Sequence, residues 1–225
     1  MRRTEGGHPA ALQRLLTWLS PAFPVGSFAW SQGLETAISD GRITTGADLR
    51  GWLDGLLVAG SLRTDVILLA HAYRAADNAA QLADIAELGL ALTSSAERLQ
   101  ETTLTGEAFA IAARAWPSDI FARLPRPCPY PVVVGAVAAA HGIGLTDTLL
   151  AYLTAAIHTQ ISVAVRLVPL GQTAGLQVMA ALEPQVAALA AIAVDADLAD
   201  IGTAAYGADI AQMRHETLGT RVFRS

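Results

Sequence analysis

The sequence contains no lysine, since all fifteen of its basic residues are arginine. This absence excludes chemistry that needs a lysine amine, including P-loop phosphate binding, Schiff-base formation and pyridoxal-phosphate catalysis. Cysteine is almost as rare, and the single thiol of Cys128 can form neither an internal disulfide nor a cysteine-based zinc cluster. One cysteine, and no apolar run before Arg14 to serve as a secretion signal, indicate a cytoplasmic protein.

Charged residues make up only 16% of the chain and aromatic residues 6%, whereas 52% are hydrophobic. The net charge of −5 argues against a nucleic-acid partner, because contacting phosphates requires a basic surface. Much of the apolar content is alanine, which loses no side-chain entropy in a helix. We therefore expect an all-α fold, a single-domain bundle of about ten helices over residues 1–225. A short flexible N-terminus at 1–9 and an interaction tail at 218–225 would flank it.

The region from Pro127 to Val165 carries one formal charge, Asp147, between two uncharged stretches of nearly membrane-spanning length. Prolines, glycines, histidines and amide side chains interrupt both stretches, and neither has a flanking arginine cluster or an aromatic belt. We therefore expect core helices of a soluble domain, buried on all sides, rather than membrane spans.

The spacing of apolar residues predicts helices along most of the chain. In the helix predicted over 146–168 an apolar residue recurs at every fourth position, and this stripe consists of Leu145, Leu149, Leu153, Ile157, Ile161 and Val165. Two amphipathic helices flank Gly60, and the first begins at Thr45 with Asp48 as its capping-box partner. Ser94 is predicted to begin a long helix, with Glu97 three residues later. Five prolines between 117 and 131 indicate a loop. The other predicted ranges are 10–19, 27–39, 79–92, 94–116, 132–141, 146–168, 172–182, 184–193 and 204–217.

Enzyme motifs are incomplete in this sequence. His215-Glu216 begins an HExxH motif, but glycine occupies position 219, and Asp147 stands where the last glycine of a GxGxxG motif belongs. We therefore expect no catalytic residue, no metal site and no directly bound cofactor. The alternative is a helical enzyme or metal-binding protein with a site assembled from core histidines. The five histidines have no ligand spacing, and they are His8, His71, His141, His158 and His215.

The segment from Ser20 to Glu35 contains two prolines, two glycines and three aromatic residues. One interpretation is the start of a helix, with Gly26 giving backbone freedom, Ser27 as N-cap and the aromatic side chains in the core. The other is a rigid loop that presents aromatic residues to a partner. The candidate partner-binding residues are Pro24, Gly26, Phe28, Trp30, Ser31, Gln32 and Glu35.

Two further segments contain more than a helix requires. Pro169 and Gly171 predict a tight corner between two core helices, with Gln172 or Thr173 beginning the second. The segment from Asp209 to Ser225 ends in Arg-Val-Phe-Arg after Gly219, which suits a helix C′ position. An aromatic side chain between two arginines is typical of a binding hot spot, whereas the alternative is a frayed tail. The candidate partner-binding residues are Arg214, His215, Glu216, Arg221, Phe223, Arg224 and Ser225.

The chain closely resembles the urease accessory protein UreF family from about Leu12 onward. Residues 20–35 match that family's SPxxPVGxFxxSxGLE pattern, with Trp30 where tyrosine is commoner. Residues 166–175 match R-x-x-PLGQT-x-G, and residues 209–225 match D-I-A-x-M-x-H-E followed by S-R-L-F-R-S. The chain departs from the family at 218–220, Leu-Gly-Thr, and at Val222, which replaces leucine.

The resemblance implies an all-α homodimer within the complex that matures urease. In that family the protein lies between the accessory protein UreD (also called UreH) and UreG, a P-loop GTPase that brings nickel. It is thought to gate GTP hydrolysis and nickel release into the urease apoprotein. Partners would then handle the nickel and the GTP. Activation of GTP hydrolysis by an arginine finger is a further possibility, but no one of the fifteen arginines is singled out.

Overall fold

The computed structural model describes residues 9–225. In this part of the chain eleven α-helices form and no β-strand does, which confirms the all-α prediction. The predicted flexible segment 1–9 lies outside the described residues except for Pro9, and so does His8. The helices are α1 (Pro9–Trp18), α2 (Leu34–Ser39), α3 (Gly46–Ala59), α4 (Ser61–Arg74), α5 (Ala79–Ala91), α6 (Ala96–Ala113), α7 (Ile120–Arg123), α8 (Tyr130–Ala140), α9 (Leu145–Leu167), α10 (Gln172–Asp195) and α11 (Tyr206–His215).

The beginning of α3 confirms the predicted capping box. The Thr45 hydroxyl accepts the Asp48 N–H at 3.2 Å, and Asp48 Oδ2 accepts the Thr45 N–H at 2.9 Å. Asp48 also accepts the backbone N–H of Thr44 at 3.1 Å. The Thr44 N–H and the Thr45 hydroxyl, followed by the Thr45 N–H, lower the pKa of Asp48, because each bond favours the ionised carboxylate.

Three predicted boundaries are wrong. The helix predicted over 27–39 divides into a 3₁₀ turn, Ser27–Ala29, and the short α2, with Gly26 rather than Ser27 as N-cap of the turn. Gln32 and Gly33 interrupt it because both have positive φ, at 53° and 81°, which an α-helix cannot contain. The N-cap of α6 is Ser95, not Ser94. The helices predicted over 172–182 and 184–193 are one helix, α10, with Pro184 inside it.

Pro184 is tolerated inside α10 because it lies on the exposed side of the helix. Proline removes the N–H that would bond to the carbonyl of Ala180, and Ala180 is exposed as well, so water can reach that carbonyl. The corner before α10 is confirmed, since α9 ends at Leu167 and α10 begins at Gln172. The predicted proline loop at 117–131 contains the four-residue α7 and the beginning of α8.

The centre of the fold is the contact between α4 and α8, which α9 covers. Gly135 permits the close approach, because a Cβ there would collide with the backbone carbonyl of Leu69. The predicted apolar stripe of α9 is half-buried at its two ends and buried between them, where Leu149, Leu153 and Ile157 are each 0% exposed.

Within residues 9–225, α9 and α10 are long and apolar enough to cross a membrane by length and composition alone. In α9 half of the most apolar stretch is buried inside the protein, and this helix packs against α10, α4 and α2. In α10 only a third of the most apolar stretch is buried, and the large side chains of Leu176 and Ile192 are exposed.

After α11 the chain turns back toward the beginning of the molecule. The helix packs against α2 and α6, and it ends at His215 with Glu216 as C-cap. Gly219 is therefore not at the predicted C′ position, since it follows the last helical residue by four. Residues 218–225 have no regular secondary structure, and they reach the segment between the 3₁₀ turn and α2.

Candidate functional site

The two segments predicted as separate partner-binding regions meet in the fold. The Ser31 N–H donates to the Ser225 carbonyl at 2.8 Å, and the Arg224 N–H donates to the Ala29 carbonyl at 2.8 Å. The Ser31 hydroxyl also donates to that Ser225 carbonyl, and the Gln32 N–H donates to Ser225 Oγ at 3.1 Å. We call this site the tail junction, and it comprises residues 29–35 and 221–225 together with Glu97 and His215.

The carboxylate of Glu35 holds the tail backbone. Its Oε1 accepts the Val222 N–H at 2.7 Å, and its Oε2 accepts the Phe223 N–H at 2.9 Å. These two bonds fix the tail so that the Phe223 ring enters the apolar core, where it is 6% exposed. The expectation that Phe223 is an exposed anchor is therefore wrong, and so is the frayed-tail alternative. Ser225, another candidate, is completely buried.

His215 joins the tail junction to α2 and α6. Its Nε2 lies 3.0 Å from Glu35 Oε2, and its Nδ1 lies 2.9 Å from Glu97 Oε2. Arg221 donates to the other oxygen of Glu97 at 3.0 Å. The ring of His215 is 0% exposed. A continuous row of four ionisable groups therefore runs from α2 through α11 and α6 to the tail.

The remaining candidates of the first segment divide between interior and surface. Trp30 and Ser31 are buried, and Gln32 is half-buried. The guanidinium of Arg224 lies 5.7 Å from the centroid of the Trp30 ring, a cation–π geometry that covers the indole. Pro24 and Phe28 are exposed, the latter at 63%, and Gly26 has φ 73° with open space around it. The segment is therefore interior at Trp30 and Ser31 and exposed at Pro24 and Phe28.

The remaining candidates of the second segment make contacts at the surface. Arg214 forms an ion pair with Asp40 at 2.7 Å. Glu216 accepts the Ala96 N–H at 3.0 Å and so caps the first turn of α6. Val222 is 68% exposed, and the side chain of Arg221 is 43% exposed. Beside the tail, α11 exposes an apolar stripe at Tyr206, Ile210 and Met213.

A second buried polar network adjoins the tail junction through Gln32. Its amide donates to Glu101 at 2.7 Å, and Arg98 bonds to Glu101 at 2.9 Å and to Asp65 at 2.7 Å. Tyr152 donates to Asp65 at 3.0 Å. Burial raises the pKa of Tyr152, and the nearby Asp65 carboxylate raises it further. A cavity of about 60 Å³ lies among these side chains.

A run of charged residues at the beginning of α6 is the one sequence feature from which this network could have been predicted. Glu97, Arg98 and Glu101 are three charges within five residues, and helical spacing places Glu97 and Glu101 on one face. A charged run of this kind usually faces solvent, but here Thr102 and Thr105 continue the same buried side of α6. Asp65 gave no such signal, because its partner Arg98 is 33 residues away in the chain.

The histidines proposed for a core site are not brought together. His71 Nε2 lies 3.0 Å from the carbonyl of Ala196, and His158 is exposed on α9. His141 Nδ1 lies 3.2 Å from an Arg14 nitrogen, and burial, followed by the Arg14 charge, lowers the pKa of His141. Among residues 9–225 no three histidine, cysteine or acidic side chains form a group that could hold a metal ion. Cys128 is buried, which raises the pKa of its thiol to about 12.

Comparison with known proteins identifies relatives along nearly the whole chain. Residues 43–183 match the model of the UreF family. The urease accessory protein UreF of Agrobacterium fabrum is 50% identical over 216 residues, which cover 96% of this chain and 97% of the relative. The UreF of Rhizobium etli is 50% identical over 215 residues, 96% of each chain. The UreF of Rhodopseudomonas palustris is 50% identical over 224 residues, 96% of this chain and 93% of the relative.

Proposed function

Because the chain belongs to the UreF family of urease accessory proteins, we propose that it is the adaptor of the urease maturation complex. In this proposal it joins the UreD/UreH accessory protein to the nickel-carrying GTPase UreG, and nickel reaches the urease apoprotein through the assembly. The chain itself performs no catalysis and acts in the cytoplasm. The lack of lysine supports this division of labour, because a P-loop needs its lysine and UreG supplies one.

The observation that carries the proposal is the fixed outer side of the tail junction. The carboxylate of Glu35 accepts the backbone N–H groups of residues 222 and 223 and so immobilises this backbone. Arg221, Val222 and Arg224 face outward from it. A surface that is ordered before binding loses little conformational entropy on association. Arginines around an apolar side chain are also a composition enriched at binding hot spots. We assign this outer side to UreD/UreH.

A substitution at Val222 tests that assignment without disturbing the interior. Val222→Glu places a charge at a side chain that is 68% exposed, and its backbone bond to Glu35 is retained. We expect at least a tenfold loss of affinity for UreD/UreH in co-purification and titration, about 1.4 kcal/mol or more. Val58→Glu, on α3 and 63% exposed, is the matched control. Equal binding by the two variants would refute the assignment.

Deleting residues 219–225 is a weaker test. The deletion removes Phe223 from the core and takes from Glu35 and Glu97 the tail groups that they bind, so a loss of binding could reflect unfolding.

We assign the exposed part of the first segment, Pro24 and Phe28, to the surface that faces UreG. Phe28 is an aromatic side chain that is 63% exposed, whereas Trp30 and Gln32 are held by interior contacts. Phe28→Ser is therefore the informative substitution, and single-turnover GTP hydrolysis by UreG, with and without the chain, is the measurement. An unchanged effect on hydrolysis and unchanged UreG binding would refute this second assignment.

We further propose that the protein is a homodimer in which the outer face of α10 packs against its counterpart in a second copy. Glu183 is the one charge between Gln172 and Val194, and Leu176 and Ile192 are 66% and 53% exposed. The exposed residues between them include Ala180, Ala187, Ala188 and Ala191, which permit close approach of two helices. The same face on each subunit would form a self-complementary twofold interface.

A further inference from the structure

The two ring nitrogens of His215 both face carboxylate oxygens. Nδ1 lies 2.9 Å from Glu97 and Nε2 lies 3.0 Å from Glu35, and the ring is completely buried. A neutral imidazole has a single N–H, so it can donate to one carboxylate and must turn a lone pair toward the other. An imidazolium donates to both. The geometry therefore requires the charged ring as long as both glutamates are ionised.

The net charge around the ring also favours the imidazolium. From α2 the group that faces His215 is Glu35, from α6 it is Glu97, and from the tail it is Arg221, which donates to Glu97. Two carboxylates and one guanidinium leave a net charge of −1 with a neutral ring and zero with an imidazolium. An unbalanced charge at a buried site is costly, so the closed arrangement favours the imidazolium.

Neighbouring charged groups are already paired and do not alter this balance. Farther along α6, Arg98 bonds to Asp65 and Glu101. On α11 itself, Arg214 pairs with Asp40 and Glu216 caps α6.

We infer that His215 is a proton-dependent latch, which holds residues 221–225 in the tail junction while its ring is charged and releases them when the ring loses its proton. The biological use of such a latch rests on the proposed function, because the segment it releases carries the surface assigned to UreD/UreH. The latch thereby adds regulation to that surface: partner binding would weaken as the pH rises.

Deprotonation should open the tail before it affects the helices. Glu35 holds the backbone of Val222 and Phe223, and Glu97 holds Arg221, so whichever carboxylate faces the lone pair of a neutral ring also anchors the tail. Either carboxylate can reach water if the tail leaves, whereas α2 and α11 retain their other mutual contacts. The closed state then binds one proton more than the open state. Its stability falls as the pH rises, by up to about tenfold in the closing equilibrium per pH unit.

Nuclear magnetic resonance of the full chain tests the latch directly. Ring-nitrogen shifts report the proton on each nitrogen of His215, and the amide signals of Val222 and Phe223 report whether the tail is bound. While the tail is closed we expect both ring nitrogens to be protonated and both amides to be hydrogen-bonded. As the pH is raised we expect the ring proton and the bound amide signals to be lost together. Exposed His158 is the internal reference.

Glu97→Gln tests the mechanism without removing the contacts. Its amide can donate to an unprotonated Nδ1 while Nε2–H donates to Glu35, and its oxygen still accepts from Arg221. A neutral ring is then sufficient, so the tail should remain bound at high pH. The matched control is Glu107→Gln, exposed on α6 and outside the proposed dimer face, which should retain the pH dependence of the unmodified chain.

Two results would overturn the latch. One is a ring with a single protonated nitrogen while the Val222 and Phe223 amides remain hydrogen-bonded. The other is a Glu97→Gln chain whose tail opens at the same pH as the unmodified chain. Both measurements use the protein alone, so a failure of UreD/UreH to bind would refute the proposed function and leave the latch standing.

Discussion

At the scale of the residue, Glu35 is the central side chain of the tail junction. Its carboxylate accepts two backbone N–H groups of the tail and faces His215, while α2 holds it in a position that is only 5% exposed. The sequence identified Glu35 as a candidate from its place in a motif, but not as an interior anchor. Its partners are 180 or more residues away in the chain, and no local spacing predicts such a pairing.

Replacing Glu35 by alanine should release the tail. Val222, Phe223 and His215 would each lose a buried acceptor, and we expect about 2–4 kcal/mol of lost unfolding free energy. Urea denaturation gives that value, and hydrogen exchange at residues 222 and 223 reports the local opening. Glu107→Ala, exposed on α6, is the control and should change stability by less than about 0.5 kcal/mol. Protected tail amides in the Glu35→Ala chain would contradict the assigned role.

Asp48 gives a pH dependence of opposite sign to that of His215. Hydrogen bonds in the folded state lower its pKa below the usual 3.8, so its contribution is fully present above that value. The contribution is lost as the pH falls from about 4 through the lower pKa of the folded protein. Asp48→Asn should therefore flatten the stability curve in this acidic range, and near neutral pH it should lower the stability by an amount that does not change with pH. Denaturation at several pH values, with exposed Asp77→Asn as control, measures the difference.

At the scale of the element, sequence patterns predicted regular helices better than the segments between them. The α9 stripe, the corner before α10 and the α3 capping box each depend on residues within a few positions, and all three are confirmed. The 27–39 prediction was wrong because Gln32 and Gly33 have left-handed backbone, and Gly33 lies against α11. The contact between Gly33 and α11 is set by tertiary packing, which a local pattern does not contain.

Gly26 and Gly33 have similar φ angles, so comparing alanine substitutions at the two separates the cost of backbone strain from the cost of a packing clash. Gly26 has φ 73° and open space around it, whereas a Cβ at Gly33, with φ 81°, would lie 2.7 Å from the Gln212 nitrogen. Gly26→Ala should cost about 1–2 kcal/mol from backbone strain alone. Gly33→Ala should cost clearly more, because α11 must also move away from α2. Urea denaturation of both variants measures the difference, and equal losses would contradict a tight α2–α11 contact.

At the scale of the whole molecule, the sequence predicted the all-α class and the family but not the way in which its two candidate segments combine. Residues 20–35 and 209–225 were predicted from the sequence as separate binding regions, whereas in the fold they meet at one site. Composition was sufficient to predict the fold class, because alanine favours helix wherever it occurs in the chain. The junction depends on which helices are neighbours, and single-sequence patterns do not determine that.

Oligomeric state is the property to test at this scale. If α10 forms the proposed interface, Ala187→Arg together with Ala188→Glu should convert dimer to monomer, because both positions are exposed and would place large charged groups between packed helices. Light scattering after size-exclusion chromatography gives the mass, and circular dichroism confirms an intact fold. Ile111→Glu, 63% exposed on α6, is the control and should remain dimeric. A dimer that survives the double substitution would refute this interface.

The closure of the tail junction also has a consequence for synthesis on the ribosome. Residues 29–35 are translated early, yet their partners at 221–225 emerge only after all eleven described helices. A nascent chain folds progressively from its N-terminus. Residues 29–35 therefore lack their tail hydrogen-bond partners until residues 221–225 have been translated. Closure joins positions up to 194 residues apart. A partner that recognises the closed junction would therefore select chains translated past their last helix and reject truncated products.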